Sequence, residues 1–500
     1  MVASAEPLDG QKPDCEESLQ SLVDAATSGD NVKVPGGCVY REEVTIDKPL
    51  TLDAEPGAEI RGSQAWTEWT KSGDRWVSED SMPSFSAHGE CGDGTRRCLW
   101  PEQVFFDGEP LAQVASEPQS GQFAVDANRS VLLSDDPSGH NVEVSTRTGW
   151  IAGESDGVVV EGFTMKHAAN DAQTGAIDNN GYSRWRLQDN TLSDAHGAIV
   201  RLRDATDLRL LGNDISRGGQ LGVSGGSTDL LMQDNQIHNN NTEGFDAEWE
   251  AGGTKTTFMT SLTADGNEVY QNGGPGLWCD LDCAGVTYSN NRVHHNDRAG
   301  IMFEISSDAR IFGNVVWENG WSFPHWGWGA GILSSSSKDV EIYDNVLVWN
   351  ADGISVVSQD RGEDSWNTVD DVYVHDNTII SEGYPTGDHH FSLAWLQDWA
   401  GVMFEAASNN QGANNRYWHA SPEGSDGRFA WDESIDRLAD FNATAGEEGG
   451  RYLSDEEKEQ MVSNAGIPDS PEARLPDSAV SNAWQRAREV ISGWFGRLFS

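Results

Sequence analysis

The sequence repeats one short phrase at nearly regular intervals, an Asn followed two positions later by an aliphatic residue. The phrase occurs at Asn190, Asn213, Asn235, Asn267, Asn291, Asn314, Asn345 and Asn377. Successive copies are 23, 22, 32, 24, 23, 31 and 32 residues apart. The basic unit is therefore 22 to 24 residues long, and three units carry insertions of about ten residues. A period of this length is typical of a solenoid, in which each unit stacks on the next.

Each unit combines strand-like segments, such as DLRLLGNDI and DVEIYDNVLVW, with turns rich in Gly, Asn and Asp. The units lack a helical pattern of ten residues, which argues against leucine-rich and helical repeats. Equivalent residues stack in parallel coils, so the recurring Asn is expected to form a ladder of side-chain amide hydrogen bonds. We predict a structural role for this Asn column.

Further segments resemble a known superfamily. The stretch LQSLVDAATSGDNVKVPGGCVYREEVTIDKPLTLDAEPGAEIRG has the pattern of a capping helix followed by the first strands, and GFTMKHAAN spans 162–170. With the repeated coils, these segments resemble the pectate-lyase-like superfamily of right-handed parallel β-helix proteins, over about residues 15–65 and 150–405. The resemblance implies an all-β solenoid that acts on polysaccharide.

On this interpretation the chain has four segments. Residues 1–65 form an N-terminal cap with the first coils, 66–149 an inserted small β subdomain, 150–405 the main parallel β-helix and 406–500 a C-terminal cap. Short strands such as QVFFDG and NVEVSTR, among Trp, Gly and Pro, indicate the insertion. A cap is expected because the open end of a coil exposes unpaired strand edges.

The C-terminal residues carry an amphipathic pattern. One helical stripe holds Val480, Trp484, Ala487, Ile491, Trp494 and Leu498. We expect this helix to pack on the end of the coil, with a membrane surface or a partner as the alternative. The sequence has no run of 18 apolar residues, so we expect no transmembrane segment. No apolar signal core precedes Pro7, so we expect that a leader was removed or left out.

The composition is strongly acidic, with 81 Asp and Glu against 33 Lys and Arg and a formal net charge of −48. Such a charge disfavours nucleic acid as a partner. An acidic, Lys-poor chain stays soluble when salt screens its self-repulsion, so we expect a halophilic source, the alternative being an ordinary acidic secreted protein.

The cysteines form three pairs that are local in sequence: Cys15 with Cys38, Cys91 with Cys98, and Cys279 with Cys283. An even, locally paired count predicts disulfides and an oxidising compartment, whereas the spacing of zinc ligands is missing. We expect an extracellular or cell-surface protein, and a monomer.

Candidate catalytic residues emerge when GFDAEWE, GLWCDLD and GIMFEIS are aligned on their first Gly. The fourth residue after that Gly is Glu248, Asp280 or Glu304. Alternation along a strand sends the intervening apolar residues to the core and these acids outward. Coils stack about 4.8 Å apart, so neighbouring carboxyls would be roughly 5 Å apart and the outer two roughly 10 Å.

Carboxyls at these separations suit glycoside hydrolysis. Retaining enzymes hold two carboxyls about 5 to 5.5 Å apart and inverting enzymes about 6.5 to 9.5 Å apart, so the column serves either geometry. Like charges this close cannot all ionise cheaply, so we expect a raised pKa for at least one carboxyl. A cation site and a solvated acidic face are the alternatives.

Substrate-binding candidates surround the column. Arg201 holds the equivalent position in an earlier coil, Trp278 neighbours Asp280, and the insertion WENGWSFPHWGWGAG supplies Trp321, Trp326 and Trp328. Exposed aromatic planes suit the apolar faces of sugars, although such a loop can also pack its aromatics on the coil. The stretch 276–306 is similar to uncharacterised bacterial β-helix proteins classed as carbohydrate-active.

Further candidates are a base and a cation site. His295, in the turn before the Glu304 strand and near Arg298, could act as a base or donor, or could be an ordinary polar turn residue. Asp246, Glu250 and Asp282 flank the column, and acids at this density suit calcium. No other cofactor is expected to be required.

Three functions stay open: a glycoside hydrolase, a polyuronate lyase or epimerase, and a non-catalytic glycan-binding or adhesion protein. A lyase needs a cation that neutralises the uronate and a base, for which Arg298, His295 and Lys255 are candidates. The negative charge should repel a polyuronate at low salt, which favours the hydrolase. The polygalacturonase motifs of the superfamily are absent from the expected coils, so the polysaccharide stays open.

Overall fold

Short parallel strands dominate the computed structural model, which describes residues 12–361, 368–381, 390–422 and 427–467. The chain divides into two compact units, Met1–Gly273 with Ala284–Val286, and Gly274–Cys283 with Thr287–Ser500. The predicted helix around 480–498 lies outside the described residues. No helix in the described part of the chain is long and apolar enough to cross a bilayer.

In the first unit each coil contributes strands to three parallel sheets, which we call faces 1, 2 and 3. Face 1 contains Val44–Ile46, Ile151–Gly153, Gly175–Asp178, the first halves of Ala198–Leu211 and Leu221–Gln233, and Gly252–Thr257. Face 2 contains Asn31–Val34, Thr51–Ala54, Val159–Glu161, Arg186–Gln188, the second halves of the two long strands, and Thr260–Asp265. Face 3 contains Val39–Tyr40, Glu59–Arg61, Thr164–Ala168, Thr191–Ala195, Asp214–Ser216, Gln236–His238 and Glu268–Tyr270.

The strands between Ser63 and Ser145 stand outside the coils. One small sheet contains Ser63–Ala65, Val104–Phe106, Glu109–Pro110 and Val142–Ser145, and the other contains Trp69–Ser72, Arg75–Ser81, Ala112–Gln113, Gln122–Val125 and Ser130–Leu133. A 3-10 turn covers Arg97–Leu99. These sheets share a core of their own around Trp66, Phe123 and Val144. The coil resumes directly after them, because Ile151–Gly153 pairs in parallel with Val44–Ile46.

The second unit repeats the three faces. Face 1 contains Leu277–Asp280, Ile301–Glu304, Ala330–Ser335, Asp352–Ser358, Leu393–Gln397 and Phe429–Trp431. Face 2 contains Ala284–Ser289, whose first three residues belong to the first unit, then Ser307–Phe312, Lys338–Tyr343, Val372–His375 and Gln411–Ala413. Face 3 contains Arg292–His294, Val315–Trp317, Val346–Val348, Thr378–Ser381, Arg416–His419 and Arg451–Tyr452. Glu433–Ile435 pairs antiparallel with Phe429–Trp431, and a 3-10 turn covers Ala406–Ser408.

Short helices lie at both ends of the described chain. The predicted capping helix is confirmed as Leu19–Ala25, whose N-cap Ser18 accepts a hydrogen bond from the backbone of Ser21. Leu438–Phe441 and Asp455–Asn464 follow the last coils. Val462 of the latter helix packs on an apolar cluster of face 3 that includes Trp317 and Trp349. The protein is thus a right-handed parallel β-helix with an added small β subdomain and helices near its ends.

The predicted Asn ladder is present. In the first unit, side-chain amides connect Asn190 to Asn213, Asn235 and Asn267 in steps of 2.9 to 3.0 Å, and in the second they connect Asn291 to Asn314, Asn345, Asn377 and Asn415. Each side chain also donates to a backbone carbonyl, as Asn314 does to Tyr288 at 2.9 Å. The ladder therefore pairs turn groups that would otherwise be buried without partners.

A second Asn ladder escaped the sequence analysis. It connects Asn240 to Asn272 in the first unit, and Asn296 to Asn319 and Asn350 in the second, at 2.8 to 2.9 Å. Each member follows a member of the first ladder by five residues. This constant offset of five residues could have revealed the second ladder from the sequence.

Coil pairing continues beyond the end of the repeated phrase. Gln411–Ala413, Arg416–His419 and Phe429–Trp431 each pair in parallel with the preceding coil. The phrase missed this coil because Asn415 is followed by Arg and Tyr. The Asn415 amide donates to Glu447 at 2.8 Å, and burial raises the pKa of that carboxyl. A carboxyl thus takes the place of the next Asn at this end of the ladder.

All three predicted disulfides are confirmed. They join Cys15 to Cys38, Cys91 to Cys98, and Cys279 to Cys283, and no cysteine is free. The last bridge closes a tight turn at the end of a face 1 strand, where Cys279 and Cys283 are both fully buried.

Replacing one ladder residue should destabilise the coil. Asn314→Ala leaves the backbone N–H of Asn291 and the carbonyl of Tyr288 without their partners. Buried unpaired groups cost about 1 to 3 kcal/mol each, so we expect the free energy of unfolding to fall by about 2 to 6 kcal/mol. Calorimetry of thermal unfolding measures the loss, with the exposed Asn128→Ala as control. Equal melting temperatures for the two variants would contradict a stabilising role for the Asn ladder.

Candidate functional site

Asp280 and Glu304 lie on neighbouring coils of face 1 in the second unit. Trp278 pairs with Met302 and Cys279 with Phe303, so the next residues along both strands are the two acids. Cys279 and Phe303 are fully buried in the coil interior. Because side chains alternate along a strand, Asp280 and Glu304 project from the other side, one coil spacing of about 4.8 Å apart.

The alignment that placed Glu248 in this column is wrong. Glu248 is exposed and lies in a turn, where its backbone N–H donates to the Asp246 carboxylate at 2.9 Å. The face 1 strand of that coil is Gly252–Thr257, in which Lys255 pairs with Ser224. The alignment failed because Gly244 opens an inserted turn rather than the strand.

The two acids are covered, although the sequence predicted an open outer face. Asp280 and Glu304 are each 6% exposed. An apolar cluster that includes Trp278, Met302 and Leu333 lies on the same face, with Trp328 of the insertion packed against it. The carboxyls therefore lie in a roofed site rather than on an open strip.

Glu304 has a charge partner that the sequence did not reveal. Arg361 forms an ion pair with it and also donates to the Gln359 side chain at 2.6 Å and to the Ser336 hydroxyl at 3.3 Å. A carboxylate buried to this extent is costly without such a partner. Arg361 lies 57 residues further along the chain, in a loop that the repeat does not predict.

His295 belongs to a different corner of the coil. It follows the face 3 strand Arg292–His294, and its Nε2 lies 2.6 Å from a carboxylate oxygen of Glu318. The neighbouring His294 ring stacks on Trp317 at 3.9 Å. Burial first, and then the positive groups nearby, lower the pKa of His294 to about 3.

The residues predicted to bind substrate through aromatic or cationic side chains differ in exposure and in their partners. Trp278 is 3% exposed, whereas Trp326 is 37% exposed. The indole of Trp321 donates to the Trp349 carbonyl at 3.0 Å, and the Arg298 guanidinium lies 3.7 Å from the Phe323 ring centre. Most aromatic side chains of this loop thus pack on the coil, which was the alternative to substrate binding.

Cationic residues form a column on face 1 of the first unit. Asp178, Arg201, Ser224 and Lys255 are in register on successive coils. Arg201 lies 3.9 Å from the Asp178 carboxylate. Lys255 is 7% exposed, and its ammonium donates to the Trp249 carbonyl at 2.9 Å. This column thus holds one anion, two cations and one neutral residue.

The acids predicted for calcium serve the local structure. Asp246 caps a turn, Glu250 accepts a hydrogen bond from Gln173 at 2.6 Å, and Asp282 lies in an exposed turn. Among the residues that the structure describes, no group of three or more His, Cys, Asp or Glu is arranged to hold a metal ion. Calcium binding stays a prediction.

Sequence reasoning also missed Asp352, which begins a face 1 strand in the second unit. It is 1% exposed, and its Oδ1 accepts the backbone N–H of Phe391 at 2.8 Å. Its Oδ2 has no hydrogen-bond partner among the described residues. Burial raises the pKa of Asp352 to about 7, against the opposing backbone hydrogen bonds of Phe391 and Gly329. Such a carboxyl can hold or release a proton near neutral pH.

Comparison with known proteins agrees with this fold. The family described as right handed beta helix region matches residues 138–250 and 175–347. Among solved structures, XylC, determined in complex with xylose, is 15% identical over 83% of this chain and 82% of its own, with a TM-score of 0.54. A glycoside hydrolase is 11% identical over 88% and 92%, with a TM-score of 0.45. The mannuronan C-5 epimerase AlgE6 A-module of Azotobacter vinelandii is 11% identical over 87% and 94%, with a TM-score of 0.43.

None of the curated proteins matches the sequence. At 15% identity, the likeness to XylC shows a shared fold and leaves the activity open.

The buried Asp352 should make stability depend on pH. The unfolded chain loses this proton near pH 3.8, whereas the folded protein keeps it until about pH 7. The loss of folding stability from burying the ionised Asp352 carboxyl therefore grows as pH rises between these values, and it is complete above about pH 7. We expect Asp352→Asn to gain stability over the wild type from pH 4 to pH 8, by at most roughly 4 kcal/mol.

Thermal unfolding across this pH range measures the effect. The exposed Asp308→Asn is the matched control and should show no such divergence from the wild type. A constant difference between Asp352→Asn and the wild type at all pH values would contradict the buried titration.

Proposed function

We propose that the chain is an extracellular enzyme that cleaves a polysaccharide, with Asp280 and Glu304 as catalytic carboxyls. One observation carries the proposal: the two acids are in register on adjacent coils, and one of them is paired with Arg361. The three disulfides support an oxidising, extracellular setting.

The spacing of the acids suits a retaining glycoside hydrolase. Adjacent coils lie about 4.8 Å apart, so carboxyls on them can approach the roughly 5 to 5.5 Å of retaining enzymes. Arg361 provides the charge partner that a carboxylate nucleophile needs, which favours Glu304 for attack on the anomeric carbon. Asp280 would give its proton to the leaving oxygen and then take one from the water that releases the sugar.

Access to these carboxyls requires motion, since both are 6% exposed. Trp328 of the insertion packs on the apolar cluster of face 1, and the Arg361 side chain pairs with Glu304 on the same face. Loops of this kind commonly close over a substrate and exclude water from the reaction. The covered state is therefore the closed state on this proposal.

A polyuronate lyase or epimerase is the second candidate. The in-register column with Arg201 and Lys255 in the first unit favours it, since a uronate carboxylate needs a cationic neighbour. The overall charge of −48 opposes it, because it repels a polyanion at low salt. On balance the carboxyl pair favours the hydrolase.

A panel of neutral and uronic polysaccharides, assayed with and without calcium, separates these functions. Reducing ends without absorbance from unsaturated uronates indicate a hydrolase, and both signals together indicate a lyase. Neither signal on any polymer would contradict the proposed hydrolase and favour the epimerase or the glycan-binding alternative.

Asp280→Asn should abolish turnover. The change keeps the size of the side chain but removes the proton that the leaving oxygen needs, so we expect kcat to fall at least about a hundredfold. The matched control is Asp308→Asn, an exposed carboxyl on face 2. Unaltered melting temperatures would show that both variants fold, and unchanged turnover in Asp280→Asn would remove Asp280 from the site.

A further inference from the structure

The covering insertion is a compact loop whose ends meet. Gly320 donates to the Asn296 carbonyl at 3.0 Å, and a Cβ on Gly320 would lie only 2.0 Å from the Gly329 carbonyl oxygen. Gly320 and Gly327 have φ angles of +84° and +78°, which glycine adopts without strain. Short loops closed at the base in this way are frequently functional.

One half of the loop is anchored to the coil corner. The Trp321 indole bonds the Trp349 carbonyl, the Ser322 hydroxyl bonds Asp297 at 3.0 Å, and Phe323 lies under the Arg298 guanidinium. These contacts hold residues 320–323 in place.

The other half of the loop rests on face 1. A Cβ on Gly327 would lie 2.8 Å from the Ser355 hydroxyl and 3.0 Å from the Leu396 side chain, so the backbone there touches both. Trp328 packs against the apolar cluster that contains Leu333, Ala394 and Leu396. The tip, Trp326, is exposed.

Beneath this half lies a hydroxyl that the protein does not satisfy. Ser355 is 0% exposed, and its Oγ has no hydrogen-bond partner among the described residues. Its neighbours in register are Leu333 and Ala394, which offer no polar atom from their side chains. Buried hydroxyls are nearly always paired, so an unpaired one under a loop indicates a partner that enters from outside.

We propose that residues 320–329 form a lid over a subsite for a neutral sugar residue. Once the loop has moved away from Ser355, its hydroxyl bonds a hydroxyl of that sugar, and Trp328 then covers the apolar face of the sugar. The inference rests on the proposed function for its class of substrate. The sugar is neutral because the side chains in register with Ser355, those of Leu333 and Ala394, are apolar, and the net charge of −48 repels a uronate at low salt.

The subsite lies beside the carboxyls along the stack of coils. Met302, on the Glu304 strand, is in register with Leu333, and Leu333 is in register with Ser355. Two coil spacings amount to roughly 10 Å. The Ser355 subsite therefore holds a sugar residue of the polysaccharide that lies away from the cleaved bond.

Calorimetric binding of oligosaccharides to Ser355→Ala tests the proposal. The probes are xylotetraose, cellotetraose, mannotetraose and tetragalacturonate, and all variants carry Asp280→Asn so that the probes are not consumed. The control is Ser334→Ala, which removes another fully buried hydroxyl without a described partner, but on a core-facing position between Phe303 and Val356.

We expect Ser355→Ala to weaken binding of a neutral tetrasaccharide about fivefold to tenfold, and Ser334→Ala to change it less than about twofold. Both substitutions remove an unpaired buried hydroxyl, so neither should lower the melting temperature. With Asp280 restored, Ser355→Ala should raise KM and leave kcat nearly unchanged.

Equal affinities for the two serine variants would overturn the subsite while leaving the proposed enzyme intact. Binding of tetragalacturonate alone would overturn the neutral sugar and favour the lyase. Absence of binding to every probe would overturn the subsite, and the turnover assay on polymers would then decide the proposed function separately.

Discussion

The amide ladder in the turns is the interaction on which the rest of the fold depends. Each buried Asn accepts the backbone N–H and the side-chain amide of the preceding coil, and it donates to the following Asn and to a carbonyl, as Asn314 does between Asn291 and Asn345. A slip of one residue would break all of these bonds at once and turn every core side chain outward. The ladder therefore fixes register, and a fixed register places residues in columns.

The outer face of a regular coil has no cleft. A binding or catalytic site on it therefore requires loops inserted at the corners of the coil. Insertions can grow there because the ladders hold the coils on either side in place. In the second unit, Trp328 of one insertion packs on face 1, and Arg361 pairs with Glu304 on the same face. Asp280 and Glu304 are both buried on what should be an outer face.

The periodic part of the structure could be predicted from the sequence, and the inserted part could not. The first ladder, the capping helix and the disulfides follow from residues whose spacing is set locally. Glu248 was misplaced because the turn inserted before Gly252 varies in length, so counting from a Gly lost the register. Arg361 joins Glu304 across 57 residues of chain, and no local rule connects them. Asp352 follows an Ala and precedes a Gly, and only the folded chain shows that its carboxyl is buried.

The net charge of the chain and the side chains of the covered face can both be compared with the class of ligand that the site would bind. A protein with a net charge of −48 repels anions at low salt, and the side chains in register with Ser355, those of Leu333 and Ala394, are apolar. A neutral glycan feels little of the surface potential, and it brings the hydroxyls that such a pocket lacks and the C–H faces that Trp328 can cover. A polyuronate would have to overcome the repulsion and then bury its carboxylates without partners. For the proposed subsite, the charge of the chain and the apolar neighbours of Ser355 therefore favour the same class of ligand.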